Sequence, residues 1–282
     1  MERVPQLPDV TMDKAGAELR PLYQDVEQTL RVPFVNFIFR MLANFPDYFE
    51  PTWRALAPGL RTLEFEQAAD RLRAAAVPAL YVDTMTGDGL SPVDRQAVVD
   101  FTDSIHYVLP KLLLVASCLD LHLSGHTPAQ PVARLSPRAV GGVAEGTRLL
   151  GFVDPARADA SVRRIFDDIR GLHAHPGVAS YYRGLGNYPG FLDTAWSAVR
   201  TRVTTPAYAA QKQSVITLAQ TLAEPFLRDE FASLDASAHN DISAVLAVFR
   251  YRIIPDLLLD VALIKSMLDG PEAARRSRFS IA

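Results

Sequence analysis

Few side chains in this chain have both the type and the spacing to do chemistry. His122 and His126 stand four residues apart, as a metal-binding pair on one helical face would. No third ligand accompanies them, and Gly125 marks a helix that is already ending. Asp167-Asp168 could begin a divalent-cation site, but no further carboxylates follow, and acids at a helix start are ordinary partners of its dipole. Ser180 and Ser214 lack His and Asp partners at a readable spacing, so neither makes a triad. Gly141-Gly142 and the pair Gly184 and Gly186 lack the strand–loop–helix setting of a nucleotide loop. Cys118, the one cysteine, can close no intramolecular disulfide, and its apolar neighbours make it a small buried hydrophobe rather than a nucleophile. None of these motifs amounts to a metal or cofactor site.

The balance of the chain narrows the function class. With 282 residues, 49% of them hydrophobic and 22% charged, it reads as a soluble protein with room for one or two cores. A net charge of −3 and no long basic run argue against a nucleic-acid surface. The segment from Met1 to Arg20 is polar and proline-containing, unlike a signal peptide, and the apolar run Leu112 to Cys118 is too short to span a bilayer. The expected location is cytoplasmic, with no membrane partner.

The elements that position any site come from an internal duplication. Pro33, Val35, Arg40, Leu42, the turn Asn44-Phe45-Pro46 and Trp53 recur as Pro176, Val178, Arg183, Leu185, Asn187-Tyr188-Pro189 and Trp196, each 143 residues later. His106 to Leu114 recurs as Tyr251 to Leu259, with Pro110 answering to Pro255, 145 residues on. Strand-like alternation is scarce, so the fold class is all-α: two tandem helical repeats about a pseudo-twofold axis, with a pocket between them. The division expected is 1–130 for the first repeat and its N-terminal arm, 131–159 for a Gly- and Pro-rich linker, and 160–282 for the second. Leu22, Val26 and Leu30 share a helix face, Pro33 suits the first turn of the next helix, and Ser91-Pro92 caps and opens another. Pro110 should open or kink a buried helix ending near Leu123. Lys111 and Asp256 follow the paired prolines at equivalent places, and an ion pair between them across the axis is expected.

Leu30-Arg31-Val32-Pro33, Asn44-Phe45-Pro46, Gln67-Ala68-Ala69-Asp70, Leu109-Pro110-Lys111, Leu172-His173-Ala174-His175 and Leu268 to Ala274 carry a further signal in their order and spacing. With them the chain resembles the group I 2-haloacid dehalogenases, the DehI family, over nearly its whole length. The resemblance implies an all-α pair of repeats, often as a homodimer, and a site between them. There an aspartate-activated water displaces halide from C2 of a haloalkanoate, with no covalent ester, metal or organic cofactor. The family's aspartate follows a serine, where this chain reads Ala179-Ser180-Tyr181-Tyr182; its asparagine precedes Pro-Lys, where this chain has Leu109. A carboxyl group titrates near ~4 and a phenol near ~10, so Tyr181 is a donor at neutral pH rather than a base. The resemblance also brings forward Thr62 and Glu66, four apart on one helical face, with Glu66 as substitute base. Glu66 has no counterpart in the second copy, where Ala210 aligns. Phe34, Asn36 and Phe37 match the family's pocket wall, Ser180 binds a carboxylate or hydrogen-bonds its own backbone, and His173 and His175 resemble family histidines that ligate no metal and are structural or next to the pocket.

Three readings follow. The chain hydrolyses 2-haloalkanoates; or it turns the same pocket to other chemistry on a larger, more apolar substrate, with Tyr181 as proton donor or stacking surface; or it binds a small molecule without turnover.

Overall fold

A computed structural model describes residues 7–77, 85, 89–126, 136–137, 140–228, 234 and 236–281. They form helices α1 (Leu19–Leu30), α2 (Phe37–Leu42), α3 (Pro46–Leu60), α4 (Leu63–Ala76), α5 (Pro92–Leu123), α6 (Ala160–His173), α7 (Ser180–Leu185), α8 (Pro189–Val203), α9 (Pro206–Ala223), α10 (Ala236–Val248), α11 (Ile254–Asp269) and α12 (Pro271–Ala274). A 3₁₀ turn, Glu224–Phe226, follows α9, and a π turn, Phe249–Ile253, joins α10 to α11. Among the described residues there is no strand, only an isolated bridge between Thr62 and Pro137. The fold is all-α.

Local chemistry sets the helix ends. Ser91 accepts the Asp94 N–H and Pro92 takes the first helical position of α5. Proline likewise opens α3, α8 and α9. Pro33 does not open a helix as its sequence suggests. Arg31, at φ 65°, ends α1 in the left-handed conformation, and the chain runs on to Asn36 at ψ 151° before α2 begins. The same local geometry occurs 143 residues on: Ala174 has φ 52°, and Ala179 precedes α7 at ψ 146°. Asn44 Nδ2 donates to the carbonyls of Met41 and Pro8, and Asn187 Nδ2 to those of Gly184 and Gly151. Thr62 and Thr205 cap α4 and α9 through their hydroxyls.

The core is built on α5 and α11, which pack together and are buried on nearly every face. α4 and α9 cover α5, and side chains from 15 through 279 join one hydrophobic cluster. By length and composition α5 could cross a membrane, but 94% of its most apolar window is buried inside the fold, as in a core helix. Pro110 neither opens α5 nor interrupts it. The carbonyl of His106, whose partner Pro110 cannot supply, takes a hydrogen bond from Nε of the fully buried Arg73, which also reaches the Tyr107 carbonyl. In α11, Pro255 follows the π turn instead.

Candidate active site

A cavity of about 340 Å³ opens where four segments meet: residues 36–40 around the start of α2, 105–112 in the middle of α5, 175–183 leading into α7, and 249–257 from the π turn into α11. Its volume falls in the range of small-molecule pockets. The walls are mostly apolar, with Ile105, Val108, Leu112, Phe249, Ile254 and Leu257 among them. Six residues singled out in the sequence line it together: Asn36, Phe37, Leu109, Ala179, Ser180 and Tyr181. Phe37 packs edge-on against Phe249, ring centroids 5.4 Å apart. Asn36 holds a buried side-chain oxygen with no hydrogen-bond partner among the described residues, so a ligand or water can be taken up there. Arg40 and Arg183 also line the cavity. Asp9 lies 3.0 Å from Arg40 Nε, whereas Arg183 Nε donates to the Val153 carbonyl and no carboxylate pairs with it among the described residues.

Tyr181 is buried against the cavity floor. Its ring stacks on Phe101 at 5.6 Å and its hydroxyl lies 3.1 Å from the Thr102 hydroxyl. Burial pushes the phenol well above its usual range, although the Thr102 hydrogen bond opposes this, so it stays protonated. Gly184 makes the packing of α7 on α5 possible: a Cβ there would meet the Phe101 ring at 2.6 Å.

Phe34, Thr62 and Glu66 do not line the cavity. Phe34 is half-buried against the core. The Thr62 hydroxyl accepts from Phe65 N–H and donates to the Gly59 carbonyl, which makes it a helix cap. Glu66 lies in the core, 2.8 Å from Lys111 Nζ and accepting from the Tyr107 hydroxyl. This corrects the expected pair across the axis. Lys111 is held by Glu66, and Asp256 is matched by Lys212 at 2.8 Å. Equivalent places in the two halves of the sequence do not bring these two side chains together; Lys111 and Asp256 are each neutralised by a neighbour from their own half, whereas Lys265 pairs with Asp103 and Arg250 with Asp120 across the halves.

Cys118 is fully buried, and burial drives its thiol up to about 12, so it has no thiolate to offer. Asp168 accepts from Trp196 Nε1 and Arg200 Nε, a structural role.

The polar residues that sequence reasoning underrated lie behind the 175–181 wall. His175 lines the cavity and its Nε2 sits 3.0 Å from Asp256 Oδ2. His173 stacks on His175 at 4.9 Å and places Nε2 3.0 Å from Asp260. The hydroxyls of Tyr182 and Tyr208 donate to Asp260, and Tyr208 also reaches Asp256. Burial would raise the Asp256 carboxyl, but the His175 hydrogen bond and the charges of His173 and Lys212 hold it below the usual carboxylate range. Burial would lower His173, but Asp260 and Asp256 override that and raise it. His173, His175 and Asp256 bring donor atoms within 4.8 Å of one another, close enough to surround a metal ion, but the Lys212 ammonium already stands against the carboxylate. The signal was present in the sequence as differences between the halves: Leu30 and Val32 align with His173 and His175, and Lys111 with Asp256.

Comparison with known proteins returns one consistent group. The family described as halocarboxylic acid dehydrogenase DehI matches residues 33–182. A configuration-inverting 2-haloacid dehalogenase of Alcaligenes xylosoxydans xylosoxydans is 30% identical over 296 residues, covering 97% of this chain and 98% of that protein. An (R)-2-haloacid dehalogenase of Pseudomonas putida is 26% identical, over 70% of this chain and 69% of its own length. Among solved structures, a D-2-haloacid dehalogenase mutant in complex with D-2-CPA superposes with a TM-score of 0.79 at 25% identity, covering 93% of this chain and 95% of that one. The complex of a D-2-haloacid dehalogenase with L-LA superposes equally well, at 0.79.

Proposed function

The chain belongs to the DehI family, and on that premise we propose that it hydrolyses the carbon–halogen bond of 2-haloalkanoates by direct attack of water at C2. One observation carries the reading. Residues that the family resemblance draws from both halves of the sequence, Asn36, Phe37, Leu109, Ala179, Ser180 and Tyr181, converge on a single cavity. The repeated local geometry around Arg31 and Ala174, and around Asn44 and Asn187, supports reading that cavity as the interface of two related repeats. In this scheme Arg183 and the Ser180 hydroxyl hold the substrate carboxylate, and Phe37, Leu109 and Phe249 take the alkyl chain. Attack by water opposite the departing halide inverts C2. Leu109 and the tied-back Tyr181 hydroxyl leave the walls short of polar groups, which favours substrates with longer alkyl chains than propionate. The enzyme is read as soluble and cytoplasmic, and the homodimer implied by the resemblance is part of the same reading.

The test is halide release from the separate enantiomers of 2-bromo- and 2-chloroalkanoates of increasing chain length, with chiral analysis of the hydroxy acid. Turnover with inversion, better on the longer acids, is the expected result. The double variant Tyr181→Asp/Leu109→Asn installs the residues that the resemblance implies at these positions and should shift preference toward 2-chloropropionate. If only that variant releases halide, the native pocket has been turned to other chemistry on an apolar substrate. Ligand binding without any turnover would sink both enzyme readings.

A further inference from the structure

Resting on the dehalogenase reading, we propose that His175, oriented by Asp256, is the general base that takes the proton of the attacking water. Displacement of halide by water needs a proton acceptor at the cavity, and Tyr181, where the resemblance implies a carboxylate, is a phenol whose hydroxyl is tied to Thr102. Of the groups lining the cavity, four besides the two arginines and Asn36 carry ionisable or hydroxyl chemistry: Asp9, His175, Ser180 and Tyr181. Asp9 faces the Arg40 guanidinium as an ion pair at 3.0 Å without a hydrogen bond between the facing atoms, the Tyr181 hydroxyl is bonded to Thr102, and a serine hydroxyl is no base without a partner. His175 remains.

Its surroundings fit the task. The Asp256 carboxylate can only accept, so the 3.0 Å contact assigns the imidazole proton to Nε2 and leaves the Nδ1 lone pair as the group able to take a proton. Asp256 is itself fixed by Lys212 from α9, by the Tyr208 hydroxyl from α9 and by His173 from α6, while Tyr182 from α7 and Tyr208 hold the neighbouring Asp260. A histidine whose second nitrogen is held by a buried carboxylate is the pairing that triads use to set tautomer and to stabilise the imidazolium. The pairing exists in one half only, because Val32 and Lys111 occupy the corresponding places in the other. A single base therefore serves a cavity shared by both halves.

The step balances without a further reactant. As the water oxygen bonds to C2, the C2–halogen bond breaks and the halide leaves with its electron pair. The water proton passes to His175 Nδ1 and then to solvent, leaving a 2-hydroxyalkanoate of inverted configuration.

The experiment measures halide release by wild type, His175→Ala, His175→Gln and Asp256→Asn, with thermal melts alongside. General-base catalysis contributes about 10²–10⁴-fold. His175→Ala and His175→Gln should lose kcat on that scale with KM little changed, and the acid limb of the wild-type profile should vanish. Added imidazole should restore turnover to His175→Ala saturably, more basic imidazoles doing better, while Asp256→Asn gains nothing from it. A folded His175→Gln that keeps more than about a tenth of wild-type kcat overturns the proposal, as does a folded His175→Ala that no imidazole rescues. Should neither variant fold, ¹⁵N-histidine NMR of wild type decides: the neutral form of His175 must carry its proton on Nε2, and a neutral form protonated on Nδ1 overturns the proposal. Wild type that releases no halide from any 2-haloalkanoate refutes the dehalogenase reading itself and takes the proposal down with it. A working wild type with an indifferent His175 refutes the proposal alone.

Discussion

Lys111 is wholly inside the protein, its ammonium 2.8 Å from Glu66, 3.3 Å from the Leu30 carbonyl and 3.7 Å from the centre of the Tyr107 ring. An ammonium taken out of water needs a full opposite charge close by, and Glu66 provides it. Glu66 thus answers to stability where the family resemblance had suggested a base. Glu66→Gln should lower the unfolding free energy by about 3–5 kcal/mol, because Lys111 would be left charged and buried beside a neutral amide. Replacing both residues by leucine should recover most of that loss, since a well-packed apolar pair costs no desolvation. Urea denaturation of the three proteins checks both statements. The halide-release profile of whatever Glu66→Gln stays folded should keep its acid limb. A stable Glu66→Gln that has lost that limb would return Glu66 to the role of base.

At the scale of elements, α5 shows what local sequence can and cannot convey. Ser91-Pro92 announced its start, because capping and proline chemistry act within a few residues. Pro110 read as an opening or a kink for the same reason, and there the local reading failed. Its remedy, Arg73, sits on α4, 33 residues before the His106 carbonyl it reaches. Arg73 is itself neutralised by Asp70 one turn earlier on α4. Arg73→Met should therefore open α5 at Pro110, stripping the buried His106 carbonyl of its donor at about 1–3 kcal/mol, removing a second donor from the Tyr107 carbonyl and leaving the Asp70 carboxylate only the Ser280 hydroxyl among the described residues. Amide hydrogen exchange should quicken first around residues 106–111, with the rest of α5 following only at global unfolding. Uniform protection along α5 in that variant would mean that Arg73 is dispensable to the helix. The cavity follows the same rule: Leu109 and the Asn36 to Phe37 and Ala179 to Tyr181 segments could be assembled from the family pattern, while the remaining apolar wall could not. The contact between His175 and Asp256 spans 81 residues and belongs to no local motif.

The whole molecule raises the question of whether the two similar halves of the sequence make two domains. The sequence suggests a division at 131–159, yet α5 of the first half and α11 of the second bury each other, and a single apolar cluster takes residues from both. Neither half keeps its core once the other leaves, so unfolding should be one cooperative transition. Each half contains one tryptophan, Trp53 donating to Asp25 and Trp196 to Asp168, so Trp53→Phe and Trp196→Phe leave single reporters in opposite halves. Their urea midpoints should coincide once each is corrected for its own lost hydrogen bond. The pH dependence sharpens the test, because the titrating cluster lies in the second half alone. His173 is raised above the ordinary imidazole value of about 6.5, so the stability it contributes is fully present below about pH 6.5 and is lost as pH rises through its folded value. Asp256 is lowered below 3.8, so its share is present above that value and is lost as pH falls through its depressed folded value. As pH rises above about 6.5 and through the raised folded value of His173, both reporters should therefore see the midpoint fall together, and His173→Gln should remove the slope from both. A slope seen by Trp196 and not by Trp53 would mean that the halves unfold as separate domains. The shared cavity would then be the contact of two independent units, and its catalysis should fade with their docking before either half unfolds.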